Sequence, residues 1–209
     1  MTGWIDLTRR LDDRLVCWPG RRLPNVRWDK RIEDGHHCNV SVWSLEAHTG
    51  THIDAPRHFV AEGQPIEQIS LETLTGPCEL VEISAEPVLT LTIDEAQSRV
   101  GVRRLLIRTG FGEDGSFSDH PALLTPGAAA LLLGGGLALI GTDRLSVDAS
   151  TVPDFTLHRL LLGSGCVIIE GLSLGGIAPG SYELCALPLP IAGAEASPAR
   201  VLIRAAGVS

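Results

Sequence analysis

The densest group of metal-ligating side chains lies in the segment HTGTHIDAPRH, which runs from His48 to His58. Three histidines and one aspartate fall within it, namely His48, His52, His58 and Asp54. Imidazole nitrogens and carboxylate oxygens are donors that suit zinc or manganese. One histidine alone could be an ordinary polar residue on a surface strand. The group as a whole predicts a metal site.

The spacing of these residues also predicts the shape of the chain that carries them. His48, His52 and Asp54 are separated by even numbers of residues, so an extended chain would place them on one face. A fully extended run from His48 to Asp54 is too long for one ion, so we expect a bend, which Gly50 permits. A helix would also bring His48 beside His52. Glycine, β-branched residues and Pro56 disfavour that alternative.

Other potential catalytic side chains lack a comparable context. His36, His37 and His120 stand near aspartate, glycine or proline and are predicted to lie in loops. Ser164 is flanked by two glycines but lacks the Gly-x-Ser-x-Gly pattern of a nucleophile elbow. The five cysteines form no Cys-x-x-Cys pair. A covalent nucleophile is therefore a weaker hypothesis than metal-assisted hydrolysis.

Composition and charge exclude several classes of protein. The chain has 209 residues, of which 44% are hydrophobic and 20% charged, as is typical of a packed globular protein. We expect one domain over residues 1–209, because no repeat or low-complexity linker divides the chain. The net charge of −8 disfavours binding to nucleic acid. An odd number of cysteines and no recognisable secretory signal predict a cytoplasmic protein.

A stretch without charged residues, 121–142, is long enough to suggest a membrane span. Thr125 followed by Pro126 is typical of a helix start, however, and three consecutive glycines interrupt the stretch after position 133. We therefore predict a short helix over about 126–133, a buried strand at Leu137–Thr142 and no membrane span.

The remaining patterns predict a strand-rich α/β or α+β protein with few short helices. Thr92 and Glu95 have the spacing of a capping box and predict a helix through about Arg99. The sequence LPLP at Leu187–Pro190 is expected to end a strand, because proline cannot donate a ladder hydrogen bond. Strands are predicted at Val40–Ala47, Cys78–Ser84, Arg104–Thr109, Cys166–Ile169, Tyr182–Leu189 and Arg200–Arg204.

The segment HTGTHIDAPRH resembles the hallmark of the metal-dependent cyclase-like hydrolases, a family that includes kynurenine formamidases (arylformamidases) and isatin hydrolases. Further motifs resemble the formamidase branch in order and spacing, and the resemblance covers about residues 4–204. These motifs are Trp18-Pro19-Gly20, Gly76-Pro77-Cys78, Asp143–Asp148 (DRLSVD), His158, Ile169–Leu172 (IEGL) and Tyr182–Arg200. The resemblance implies an α/β fold of swivelling β/β/α architecture and a homo-oligomer, expected to be a dimer.

The resemblance also implies a site for two divalent ions, with zinc as the first choice and manganese as the alternative. The implied ligands of the first ion are His48, His52 and Asp54. The implied ligands of the second ion are Asp54, His158 and Glu170, and the resemblance also implies that Asp54 and Glu170 each bridge the two ions.

The implied reaction is the hydrolysis of a small-molecule amide. Water activated by the ions would attack N-formyl-L-kynurenine and yield L-kynurenine and formate in tryptophan degradation. His58 would then donate a proton to the departing nitrogen, and Trp18 would contact the substrate. Two alternatives stay open: the same chemistry on isatin or another cyclic or aryl amide, and a non-catalytic metal- or ligand-binding protein.

One short stretch departs from the formamidase pattern. After Trp18-Pro19-Gly20 the family continues with an acidic residue and a Thr-Pro pair, whereas this chain continues with Arg21-Arg22-Leu23-Pro24. A cation beside Trp18 could select an acidic or oxyanionic substrate, or it could face solvent. The exact substrate is therefore open at this point.

Overall fold

The computed structural model of the chain describes residues 3–83, 90–112, 116–151 and 154–207. Most of the regular structure in these residues consists of strands. The strands are β1 (Ile5–Asp6), β2 (Asn25–Lys30), β3 (Val40–Ser44), β4 (His52–Asp54), β5 (Thr75–Glu82), β6 (Arg104–Arg108), β7 (Leu139–Thr142), β8 (Val167–Glu170), β9 (Gly180–Pro188) and β10 (Ala196–Ala205). The helices are α1 (Leu71–Leu74), α2 (Ile93–Gln97), α3 (Pro126–Gly134) and α4 (Thr156–Gly163).

Seven of these strands close into a barrel, in the order β10-β4-β8-β7-β6-β5-β9. The ring closes because β9 pairs with β10 as well as with β5. Strands β5 to β8 run parallel to one another, and the other pairs in the ring are antiparallel. Strand β1 extends the sheet beside β10. Strand β4 thus lies between two strands from the C-terminal part of the chain.

Side chains alternate between the two faces of the barrel wall. Leu106 and Ile169 pack with Ile53 inside the barrel. Leu105 and Ile168 point outward and pack against the layer formed by α2, α3 and α4. The central parallel strands are therefore buried on both faces, which explains why their sequences are continuous apolar runs.

The two predicted helix starts are confirmed. The Thr125 hydroxyl accepts a hydrogen bond from the Ala128 N–H at 3.2 Å, and α3 begins at Pro126. In α2, Thr92 and Glu95 form both hydrogen bonds of the capping box. A cap of this type contributes about 1 kcal/mol to helix stability. The charge-free stretch accordingly divides into α3 and β7, and no helix in the described ranges is long and apolar enough to cross a membrane.

The strand predicted at Val40–Ala47 is shorter than expected and lies outside the barrel. Strand β3 ends at Ser44 and pairs only with β2, as a separate two-stranded hairpin among the described residues. Val26 and Trp43 are direct cross-strand partners, and Trp28 lies on the same face. All three side chains are exposed.

The other strand predictions are largely confirmed. Strands β5 to β9 overlap their predicted ranges, and β9 ends at Pro188 within the LPLP segment. Strand β5 begins at Thr75 rather than Cys78, and β7 begins at Leu139 rather than Leu137. Ser84, the last residue of one predicted strand, lies outside the described residues. The prediction for β10 is wrong at its start, because the strand begins at Ala196 rather than at Arg200. The described part of the chain is strand-rich with short helices, as expected.

Candidate metal centre

Strands β4 and β8 place three of the predicted ligands on one face of the barrel wall. His52 and Glu170 are direct cross-strand partners, and Asp54 lies opposite Ile168. Ile168 belongs to the apolar layer outside the barrel, whereas Ile53 points inside. His52, Asp54 and Glu170 therefore all point away from the barrel interior, toward the layer of helices.

Helix α4 adds His158 to this group from the outside. The carboxylate of Asp148 accepts hydrogen bonds from the N–H groups of Leu157 and His158, at 2.7 and 3.2 Å, and so fixes the start of the helix. The same carboxylate lies 2.6 Å from Nδ1 of His158. With Nδ1 donating to Asp148, Nε2 of His158 is left to face the other ligands. Asp148 is thus a positioning residue for His158. In the sequence, Asp148 stands out only as the last residue of the DRLSVD motif, which does not predict this role.

The four side chains converge at short distances. His158 Nε2 lies 3.6 Å from Asp54 Oδ2 and 3.4 Å from Glu170 Oε1. His52 Nε2 lies 3.5 Å from Asp54 Oδ1 and 3.5 Å from Glu170 Oε2. Nδ1 of His52 lies 2.9 Å from the Gly50 carbonyl oxygen, to which it donates. Each imidazole therefore directs Nε2 between two carboxylates.

These donors fit a divalent cation. Among the described residues, Nε2 of His52 and both carboxylate oxygens of Asp54 are buried and form no well-directed hydrogen bond, although histidine nitrogens lie 2.9, 3.5 and 3.6 Å from the Asp54 oxygens. A buried polar atom without a partner costs about 1–3 kcal/mol, and a charged one costs more. Ligand atoms of His52, Asp54 and Glu170 lie within 4.8 Å of one another. One cation could satisfy all of these atoms, so the cluster has the composition and geometry of a divalent-metal site.

His48 and His58 lie on the open side of the cluster. His48 Nδ1 lies 2.9 Å from Asp54 Oδ1, and His48 Nε2 lies 3.5 Å from Glu195 Oε1. The rings of His48 and His58 are 4.3 Å apart, tilted by 39°. His48, Asp54 and His58 form a second group whose ligand atoms lie within 4.8 Å of one another. The structure thus brings the predicted residues together, but it groups His48 with His58 rather than with His52, so the assignment of ligands to each ion stays a prediction.

The electrostatics of the cluster favour cation binding. Burial alone would lower the pKa of His52, but Asp54 and Glu170 raise it to about 9. Burial opposes protonation of His158 as well, but the hydrogen bond with Asp148 and the two nearer carboxylates raise its pKa to about 12. The pKa of Asp54 lies well below its usual range, because the surrounding histidines outweigh the effect of burial. The carboxylates therefore stay ionised and attract positive charge.

The bend predicted within the histidine segment is confirmed. Gly50 has a φ of 64°, in the left-handed region, between the end of β3 and the start of β4. Gly171, directly after β8, has a φ of 69°, and a Cβ atom there would lie 2.5 Å from the Gly50 carbonyl oxygen. The Thr51 hydroxyl donates to the Gly171 carbonyl at 2.6 Å. The absence of a side chain at Gly171 thus lets the turns that carry His52 and Glu170 pack directly on each other, while Gly50 supplies the left-handed bend.

A cavity of about 510 Å³ opens onto these residues, which is within the usual size of a small-molecule site. We call its inner part the cavity base, which consists of the lining residues His48, His52, His58, His158 and Glu170 together with the buried Asp54. We call its outer part the cavity rim, formed by Trp18, Arg21, Arg22 and Glu46.

Trp18 lines the cavity, as expected of a substrate-contacting residue. Its ring packs edge-on against Phe117, with centroids 5.5 Å apart, and against His120 at 6.4 Å. The interpretation of His120 as an ordinary loop residue is incomplete, because it is only 5% exposed. Its backbone N–H donates to the Ser150 hydroxyl at 2.9 Å. His120 thus supports Trp18 from behind, whereas His36 and His37 are exposed loop residues as predicted.

Comparison with known proteins supplies the family. A family model described as "Putative cyclase" matches residues 5–149, which include the HTGTHIDAPRH segment. This chain belongs to the cyclase family. A kynurenine formamidase from Geobacillus thermodenitrificans, strain NG80-2, is 39% identical to this cyclase-family chain over 99% of this chain and 100% of its own length. The family predicted from sequence motifs is therefore confirmed.

Solved structures agree with the cyclase-family assignment. A "predicted metal-dependent hydrolase from Bacillus stearothermophilus" is 27% identical, with a TM-score of 0.80 over 96% of this chain and 97% of that one. Isatin hydrolase A from Labrenzia aggregata, bound to benzyl benzoate, is 25% identical, with a TM-score of 0.78 over 97% of this chain and 93% of that one. The predicted cyclase-like fold is confirmed by these likenesses.

Proposed function

We propose that this cyclase-family chain is a metal-dependent amide hydrolase that converts N-formyl-L-kynurenine and water to L-kynurenine and formate in tryptophan degradation. One observation carries the proposal: buried ligand atoms that form no well-directed hydrogen bond lie at the base of a cavity of about 510 Å³. The formamidase of Geobacillus thermodenitrificans, similar over its whole length, supports the choice of a formyl amide. We infer one domain over residues 1–209, which is supported by the pairing of β4 with β10 within one barrel.

We propose two zinc ions, with manganese as the alternative. His48, His52 and Asp54 would hold the first ion, and His158, Glu170 and Asp54 the second. When bound, such ions lower the pKa of a coordinated water and polarise a carbonyl oxygen. In support of two positions, two sets of candidate ligand atoms share Asp54, one with His48 and His58 and the other with His52 and Glu170. Within each set, the atoms lie within 4.8 Å of one another.

His58 is proposed to move the proton that hydrolysis requires. Burial and the neighbouring His48 and His158 lower the pKa of His58, against the opposing attraction of Asp54. A neutral imidazole at neutral pH can accept a proton from the attacking water and then donate it to the departing arylamine nitrogen. His58 lines the cavity, where a substrate can reach it.

Trp18 is proposed to contact the aryl ring of the substrate. It is partly exposed, it lines the cavity, and Phe117 and His120 hold its ring from the other side. Aromatic rings stacked or placed edge-on contribute about 0.5–1.5 kcal/mol beyond area burial. A cyclic aryl amide such as isatin would fit the same contact, and the likeness to isatin hydrolase A supports it as the second candidate substrate.

The test is an absorbance assay of zinc-loaded protein with N-formylkynurenine, isatin and formanilide. We expect the highest kcat/KM for N-formylkynurenine. A higher value for isatin would replace the formamidase assignment with the second candidate. Activity on none of the three amides would contradict hydrolysis of aryl amides altogether.

The replacement His58→Ala tests the proton-transfer role. We expect kcat to fall by about 10²- to 10⁴-fold, the usual contribution of general acid–base catalysis. The zinc content of the purified protein, measured by inductively coupled plasma mass spectrometry, should stay at the wild-type value. Unchanged turnover would remove the role, and loss of one zinc per chain would instead make His58 a ligand.

We also propose that the protein forms a homodimer through the β2–β3 hairpin and resides in the cytoplasm. Val26, Trp28 and Trp43 form an exposed apolar face on this hairpin, and two-stranded hairpins have little stability of their own. Light scattering should give two chains per particle for the wild type and one for Trp28→Glu. One chain per wild-type particle would contradict the dimer.

The five free cysteines support the proposed cytoplasmic location, because the cytoplasm is a reducing compartment.

A further inference from the structure

The cavity rim carries charges that the proposed hydrolysis does not use. Arg21, Arg22 and Glu46 all line the same cavity as the metal-ligand candidates. Arg21 Nη1 donates to Glu46 Oε2 at 3.1 Å, and both side chains are exposed. An exposed ion pair of this kind contributes only about 0–1 kcal/mol to folding. Stability therefore gives little reason for these three charges at the mouth of the cavity.

The charged side chains of the rim are close enough to the cavity base for one small molecule to contact both. Glu46 precedes His48 by two residues, so their Cα atoms are at most about 7 Å apart. A turn fixes the segment between them, because the Thr49 N–H donates to the Glu46 carbonyl oxygen at 3.2 Å. Arg21 is tied to the same place through its ion pair with Glu46. A substrate whose amide lies at the base would thus bring its far end to these side chains.

The rim offers two cations and one anion. Within the described part of the chain, Arg22 forms no ion pair, and Glu46 pairs with Arg21 through one of its two carboxylate oxygens. An α-amino acid group presents the complementary charges, a carboxylate and an ammonium separated by one carbon atom. Guanidinium groups bind carboxylates with paired donors, and a carboxylate accepts from an ammonium.

We propose that Arg21, Arg22 and Glu46 are specificity-determining residues that bind the α-amino acid end of the substrate. The two guanidinium groups bind the substrate carboxylate, and Glu46 binds the substrate ammonium. The inference rests on the proposed function, because it takes the substrate to be an aryl formamide that carries an amino acid group. It also gives the Arg21-Arg22 departure from the family pattern a role in recognition.

Three substrates separate the parts of this inference. N-formylkynurenine carries both the carboxylate and the ammonium. Its desamino analogue, 4-(2-formamidophenyl)-4-oxobutanoate, keeps only the carboxylate, and 2-formamidoacetophenone keeps neither. The measurement is kcat and KM of zinc-loaded wild type, Arg22→Ala, Glu46→Gln and the control Arg10→Ala. Arg10 is exposed and does not line the cavity.

We expect Arg22→Ala to raise KM about tenfold for the two substrates that carry a carboxylate, which is the usual cost of losing a hydrogen bond to a charged group. The kcat for these substrates, and the KM for 2-formamidoacetophenone, should not change. Glu46→Gln should raise KM several-fold for N-formylkynurenine alone, and Arg10→Ala should match the wild type. If Arg22→Ala and Glu46→Gln change KM equally for all three substrates, or leave KM unchanged for all three, the inference is overturned and the formamidase assignment stays intact. If wild type cleaves none of the three formamides, the proposed function fails, and this inference fails with it.

Discussion

The cavity base and the cavity rim are built in opposite ways. At the base, His52, Asp54 and Glu170 are at most 4% exposed and come from paired strands. At the rim, Arg21 and Glu46 are exposed side chains that hold each other by a single ion pair. The base follows the family motif closely, whereas the rim departs from it at Arg21 and Arg22.

This difference indicates a division of labour within one cavity. A metal centre needs ligands held to within a fraction of an ångström, which a barrel wall and a buried hydrogen-bond network provide. Recognition of one substrate among related amides needs a few charges at the right distance, and exposed side chains can change without disturbing the barrel. We therefore expect replacements at the base to abolish catalysis and replacements at the rim to redirect it.

The largest effect is expected for Asp54→Asn at the cavity base. Asp54 lies between His48, His52 and His158, and its ionised carboxylate is shared by both sets of ligand atoms. A neutral amide should lose zinc and lower kcat/KM by on the order of 10³-fold or more, since bound metal contributes several kcal/mol to the transition state. Formamidase assays with metal analysis check this. Full activity with full zinc content would show that the base is not the reaction centre.

A smaller effect is expected for Asp148→Asn, which acts through His158. Loss of a carboxylate that orients a metal ligand typically costs about 10- to 100-fold in metal affinity or activity. The matched control is Asp154→Asn, because Asp154 accepts from the Thr156 N–H at the start of the same helix without contacting His158. Zinc affinity measured with a chelator should fall only for Asp148→Asn. Equal losses in both variants would mean that Asp148 only stabilises the helix.

At the rim, Trp18→Leu should change binding rather than turnover. Loss of one aromatic contact of about 0.5–1.5 kcal/mol predicts a rise in KM of about 2- to 12-fold for aryl formamides, with kcat nearly unchanged. Trp4→Leu is the control, because Trp4 is an exposed tryptophan that packs on Arg204 and does not line the cavity. A large fall in kcat for Trp18→Leu would contradict this account and show that Trp18 takes part in the chemical step.

The smallest effect concerns the stability of the metal-free protein. The pKa of His52 is raised to about 9 in the folded chain, against about 6.5 in an unfolded chain. Its stabilising contribution is therefore complete below about pH 6.5 and is lost as the pH rises toward 9. The melting temperature should fall over this window in metal-free protein, by about 2–4 °C for each kcal/mol lost. Zinc-loaded protein, whose ligands are already deprotonated, should show a smaller fall, and parallel curves would contradict this account.

Most of the cavity base could be predicted from sequence because its chemistry is local. His48, His52, Asp54 and His58 fall within eleven residues, and Gly50 signals the bend that brings them together. Strand β8, which pairs with β4, is also a local signal, because it belongs to the buried parallel strands, whose sequences are continuous apolar runs.

The residues that sequence analysis missed owe their roles to tertiary contacts. Asp148 is ten residues from His158, and no periodic pattern links a loop carboxylate to the helix that it caps. Glu195 reaches His48 only because β10 pairs with β4. His120 has the neighbours of a turn residue but is buried behind Trp18. The predicted start of β10 is too late because proline usually argues against a strand, whereas Pro198 lies within the part of β10 that pairs with β4.

The most direct test of the central claim is the titration of metal-free protein with zinc while formate release from N-formylkynurenine is measured. We predict no activity in the metal-free protein and a rise with added zinc that levels off at two ions per chain. Chelation should abolish the activity, and fresh zinc should restore it. Full hydrolysis by rigorously metal-free protein, or zinc binding without any formate release, would contradict the account.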